Sequence, residues 1–110
     1  MININFVMDM TKSFLDGEID CISYFLDFPY EVEMRYRKMA RENQEYADLI
    51  FDCLLEEGVN KFNELSDAQF KTLILKQYKY IKEVNRRALV RKVVKVYKTI
   101  SVGYELLGVP

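Results

Sequence analysis

The stretch from Gln44 to Phe62, QEYADLIFDCLLEEGVNKF, constrains the fold most. Leu49, Ile50, Cys53 and Leu54 recur at helical spacing, so one side of a helix must find a hydrophobic partner. Glu45, Asp48, Asp52 and Glu56 recur every three or four residues and line a carboxylate stripe beside it. Such a helix needs others to pack on. Gly58 predicts a stop or kink, because a glycine inside a helix costs roughly 1 kcal/mol relative to alanine. Val59 and Phe62 then continue the core.

The rest of the chain offers helical partners. Val7, Met10, Phe14 and Leu15 give a first helix over Asn3–Asp16, stopped by Gly17, which accepts the left-handed backbone that ends helices. A short second helix follows, started by Asp20, with Ile19, Ile22, Phe25 and Leu26 as its apolar face. Pro29 ends it, since Phe28 before a proline is biased away from helix. A third helix spans Tyr30–Arg41, with Val32, Tyr36 and Met39 or Ala40 inward and Arg35, Arg37, Lys38 and Arg41 as a basic cluster that neighbouring carboxylates would neutralise. Ser66 and Gln69 have the spacing of a capping box. They predict a helix from Asp67 to about Val84, burying Phe70, Leu73, Ile74, Gln77, Ile81 and Val84. The segment ALVRKVVKVYKTISV (88–102) is rich in β-branched residues, which favours strand. Leu89, Val93, Val96, Tyr97 and Ile100 nevertheless fit a helical stripe, and a lone strand without a partner is unstable, so helix is expected. Gly103–Pro110 reads as an irregular tail with an apolar anchor at Leu106 and Leu107. The expectation is an all-α single-domain bundle of five or six helices over residues 1–110.

Composition and charge bound the function. With 110 residues, half of them apolar, and seven Phe and eight Tyr, the chain has material for one core. The net charge of −1 conceals a division. Residues 1–70 carry fifteen acidic and six basic side chains, a balance of −9; residues 71–110 carry ten basic and two acidic, a balance of +8. Either the halves neutralise each other, or one of them steers a charged partner. No apolar run is long enough to span a bilayer, and the opening residues lack the charge and cleavage pattern of a signal peptide, so a cytoplasmic protein without a membrane partner is expected.

Catalytic chemistry lacks its usual parts. There is no histidine, hence no imidazole base and no Ser–His–Asp or Cys–His arrangement. The four glycines are dispersed, which excludes a phosphate-cradling loop. Cys21 and Cys53 do not form a metal pattern and read as small buried hydrophobes. A carboxylate-bridged metal site in a bundle normally adds histidine, so no metal and no cofactor are expected. Two surfaces remain. The carboxylates Glu45, Asp48, Asp52 and Glu56, with Tyr46 and Phe51 nearby, suit docking onto a basic protein, or are simply a solvated face. Arg87, Arg91, Lys95 and Lys98 line one face of the last segment and suit nucleic-acid phosphates, although the chain as a whole is slightly acidic.

The run Phe14-Leu15-Asp16-Gly17-Glu18-Ile19, then Phe25, then the acidic helix Asp48-Leu49-Ile50-Phe51-Asp52, resembles the small helical immunity proteins of bacteria, of the colicin D immunity and contact-dependent growth inhibition type. The similarity covers roughly residues 10–57, and the basic C-terminal third has no counterpart in it. It implies a non-enzymatic inhibitor that binds a cognate toxin domain, commonly a basic nuclease. In that role Glu45, Asp48, Asp52 and Glu56 would compete with phosphates and Tyr46 would be an anchor. The alternative is a small nucleic-acid-binding or regulatory module that uses Arg87, Arg91, Lys95 and Lys98. The oligomeric state is not legible in the sequence.

Overall fold

In a computed structural model of the chain, the backbone is described for residues 1–106 and the side chains for residues 1–99. Every element is helical: α1 (Ile2–Leu15), α2 (Cys21–Glu42), α3 (Gln44–Leu49) running on as a π-helical stretch (Ile50–Glu56), a 3-10 segment (Val59–Glu64), and α4 (Asp67–Leu106). Among the described residues the all-α expectation holds, with four α-helices in place of five or six.

The helix ends follow from local chemistry. Gly17 takes φ +84° after α1, and Glu18 N–H returns to the Ser13 carbonyl at 2.9 Å. Asp20 caps α2, its carboxylate accepting from Ser23 N–H at 2.7 Å. Asn43, in an extended conformation, separates α2 from α3 and caps α3 through Tyr46 N–H at 3.1 Å. Ser66 and Gln69 make the reciprocal capping box, Gln69 N–H to Ser66 Oγ and Ser66 N–H to Gln69 Oε1. The first helix has no side-chain cap of its own. Glu42, at the far end of α2, supplies one: its carboxylate accepts from Asn3 N–H, Asn3 Nδ2 and Ile4 N–H, each at 2.9 Å. The start of α1 is thereby fixed to the end of α2. Beside it Arg35 pairs with Glu31 at 2.9 Å, donates to Asn3 Oδ1, and lies 3.7 Å over the Phe6 ring.

One contiguous core joins the elements. Phe14 and Tyr24 stack at 4.4 Å; Phe70 leans on both; Phe62 stacks on Phe25 at 4.3 Å and meets Phe70 edge-on. These rings connect α1, α2, the 3-10 segment and α4. Thr11 is the buried polar side chain within it: its hydroxyl donates to the Val7 carbonyl at 3.0 Å and meets the Tyr24 hydroxyl at 2.8 Å.

Several expectations are corrected. Pro29 does not end a helix; α2 runs through it for 22 residues. An interior proline removes a helix hydrogen bond and costs about 3 kcal/mol. Tyr24, Phe28, Val32 and Met39, all fully buried, lie on one face across the proline. Each contributes roughly 1.5–3 kcal/mol, which outweighs the break. The expected inward face of this region is half right: Ile19 and Phe25 pack on the core, whereas Ile22 and Leu26 are over 60% exposed and Tyr24 and Phe28 face the core instead. The helices expected at Asp67–Val84 and over 88–102 are a single helix of 40 residues. No glycine or proline lies at the join, and Glu83 binds Arg86 at 2.7 Å and Arg87 at 3.0 Å across it. Helix continues through Leu106, into the expected tail; the proposed anchor at Leu106 and Leu107 lies outside the residues whose side chains are described.

Phe70, Ile74 and Ile81 are the fully buried residues of α4. Beyond Ala88 every described side chain of α4 is exposed. Its C-terminal half is therefore an arm that leaves the body, and the molecule measures 63 × 26 × 22 Å.

Candidate functional site

The Gln44–Phe62 stretch turns through three helical geometries. In the π segment the hydrogen bonds span five residues, as in Glu57 N–H to the Asp52 carbonyl at 3.0 Å, so the turn is wider than in an α-helix. The core positions follow that wider turn: Ile50, Leu54, Leu55 and Val59 are buried, while Leu49, Phe51 and Cys53 are half-buried. The predicted interruption at Gly58 is present, and space demands the glycine. A Cβ there would lie 2.5 Å from the Leu54 carbonyl oxygen and 3.0 Å from Ile74 Cδ1.

The carboxylates divide into two kinds. Glu45, Asp52 and Glu56 are exposed, and Glu57, which the spacing argument overlooked, is exposed beside Glu56. Asp48 is tied down. Its Oδ1 accepts from the Tyr36 hydroxyl at 2.7 Å and from Gln44 Nε2 at 3.0 Å. The same carboxylate raises the Tyr36 hydroxyl pKa, chiefly by accepting its hydrogen bond. Tyr36 also meets the Phe51 ring edge-on at 5.7 Å. Tyr46 is 5% exposed and belongs to the core, so it is not presented as an anchor. The accessible aromatic surface beside the carboxylates is Tyr36 with Phe51, both half-buried.

The basic candidates stand apart from this edge. Arg87 pairs with Glu83 on its own helix, while Arg91, Lys95 and Lys98 are exposed along the arm. Among the described residues none of the four makes an ion pair with Glu45, Asp48, Asp52 or Glu56. The base of the arm and the acidic helix together line a crevice of about 210 Å³, with Glu45, Leu49, Asn85 and Lys92 among its walls. That volume is below the few hundred Å³ of a typical small-molecule site.

The remaining chemistry is sparse. Burial raises the thiol pKa of both Cys21 and Cys53, and nearby carboxylates raise it further, so neither is an activated thiolate. Among the described residues no three His, Cys, Asp or Glu side chains stand close enough to hold a metal ion, and no helix is long and apolar enough to cross a membrane. Comparison with family models, curated proteins and solved structures returned no match to this chain.

Proposed function

We propose that the chain is an immunity-type inhibitor which binds a basic toxin domain, such as a nuclease, through the acidic edge formed by Glu45, Asp52, Glu56 and Glu57. One observation carries the reading: the chain carries a strongly basic arm, yet these carboxylates are left exposed and unpaired with it. Charges held on a helix whose other face is anchored in the core are pre-arranged for an oppositely charged partner, which raises both association rate and specificity. Asp48 serves this edge indirectly, by fixing Tyr36 against α3. The resemblance of residues 10–57 to helical immunity proteins points the same way.

The test uses the toxin domain encoded next to this chain, with binding followed by calorimetry and toxicity by co-expression. The double variant Asp52→Lys with Glu56→Lys leaves the core and the Tyr36–Asp48 bond untouched. It is expected to weaken binding by about a hundredfold or more and to abolish protection. Undiminished affinity removes this edge from the interface. A toxin-free neighbourhood together with retention of the protein on heparin at moderate salt would favour the nucleic-acid reading through Arg87, Arg91, Lys95 and Lys98, which the exposed arm keeps accessible.

A further inference from the structure

Two apolar helix faces have no partner among the described residues. One lies on α2, where Ile22, Leu26, Tyr30 and Met34 are each 61–64% exposed at steps of four residues. At 100° per residue this stripe is about 180° from the buried positions Tyr24, Phe28, Val32 and Met39. The other lies on the arm, where Leu89, Val90, Val93, Val94, Val96 and Tyr97 are 46–73% exposed. Their face is centred about 135° around the helix from Phe70, Ile74 and Ile81, the positions that hold α4 to the body. The continuous helix carries this second face beyond its own core, where every described side chain after Ala88 is exposed. Neither face is closed by the described residues of the chain.

The two faces carry opposite charge. Asp27 and Glu33 are exposed beside the α2 stripe, and no basic side chain lies between Lys12 and Arg35. From Val84 to Thr99 it has six basic and no acidic ones, with Arg87, Lys92 and Lys98 bordering the arm's apolar face. We propose that the arm of one copy seats on α2 of a second copy, and reciprocally, giving a two-fold dimer by arm exchange. Two arms laid against each other would bring like charges together, whereas the exchange pairs basic with acidic. An anionic membrane would cover the arm but leave the acid-flanked α2 stripe bare; a second copy covers both. Two equivalent seats engage twenty large apolar side chains. At on the order of 80 Å² each they approach the roughly 1,600 Å² of a stable interface.

Sedimentation equilibrium of the full chain at up to about 100 µM distinguishes the outcomes. The expected mass is twice the 13.1 kDa of one chain. Leu26→Asp and Val93→Asp alter exposed positions, so each is expected to keep its helical circular dichroism and to be monomeric. Mixing the two variants leaves one intact seat, the unaltered arm of the first on the unaltered α2 of the second. The mixture is expected to associate more weakly than the wild type but more strongly than either variant alone. A monomeric wild type overturns the proposal, as does a wild type that remains monomeric and co-floats with phosphatidylserine vesicles. A dimer that Val93→Asp breaks and Leu26→Asp leaves intact also overturns it, in favour of arm-on-arm pairing.

Discussion

The Thr11–Tyr24 pair gives a sharp test of the core, because removing its two halves has unequal consequences. Both residues are fully buried, and their oxygens are 2.8 Å apart. The Thr11 hydroxyl hydrogen is committed to the Val7 carbonyl, so Tyr24 O–H is the donor of the pair. Thr11→Val keeps the β-branched shape and leaves the Tyr24 donor orphaned in a dry core, at a cost of about 1–3 kcal/mol. Tyr24→Phe keeps the 4.4 Å stack on Phe14 and the Thr11–Val7 bond, losing one neutral hydrogen bond worth about 0.5–1.5 kcal/mol. The double variant contains no orphan, so adding Tyr24→Phe to Thr11→Val should restore stability rather than reduce it further. Equilibrium urea unfolding of the four proteins, with slopes checked for constancy, measures this directly. Additive losses would refute the reasoning, since they would mean that the Tyr24 hydroxyl finds another partner when Thr11 is gone.

Three further outcomes follow from geometry. Burial raises the Tyr24 hydroxyl pKa far above its ordinary 10, with Thr11 opposing only slightly; its neutral form is favoured by folding, so that stability is complete below pH 10 and falls as pH rises past it, and Tyr24→Phe should shift alkaline unfolding, followed by far-ultraviolet circular dichroism, to higher pH. Burial opposes ionisation of Glu42, but the bonds from Asn3 and Ile4 and the nearby N-terminus outweigh it and hold the carboxyl below its ordinary 4.5; that contribution is present above pH 4.5 and is lost as pH falls through the folded value, so Glu42→Gln should flatten the acid limb of the urea midpoint between pH 5 and 2, and an unchanged limb would refute the cross-cap. Gly58→Ala places a methyl group against the Leu54 carbonyl and Ile74, and should cost about 1–3 kcal/mol in chemical unfolding, whereas a neutral result would mean that the turn is looser than described.

What the sequence disclosed was the chemistry that acts over a few residues. Gly17, Asp20 and the Ser66–Gln69 box each satisfy backbone groups within a turn of themselves, so their roles were readable in place. The path through Pro29 was not, because the burial that overrides the proline is spread over Tyr24 to Met39 and depends on partners from α1 and α4. The misplacement of Ile22 and Leu26 has a plain cause: this helix is apolar on two opposite sides, and periodicity alone cannot choose between them. At the candidate site, the exposure of Glu45, Asp52 and Glu56 was legible from the amphipathic pattern. The restraint on Asp48 was hidden, since Tyr36 comes from another helix. Tyr46 was misread because the carboxylates Glu45 and Asp48 lie close to it in the sequence while its own side chain points into the core. The division of charge was visible at once, but two arrangements fit it equally well, neutralisation at home or attraction abroad, and only the direction of the arm separates them.

The seven residues of the π segment amount to a phase offset in the chain. An α-helix of the same length would complete nearly two turns; the wider winding completes fewer, and everything after it is rotated relative to the α3 axis. Asp52 and Glu56 lie within that winding, and Gly58 follows it, where a Cβ would meet Ile74 Cδ1 at 3.0 Å. A single residue deleted between Ile50 and Glu56 would let these bonds close over four residues as in an α-helix, and six α-helical residues turn about as far as the seven wider-wound ones, so the chain beyond would keep nearly its present bearing. The extra residue is thus absorbed inside the turn that carries Asp52 and Glu56, and no single side chain carries that property.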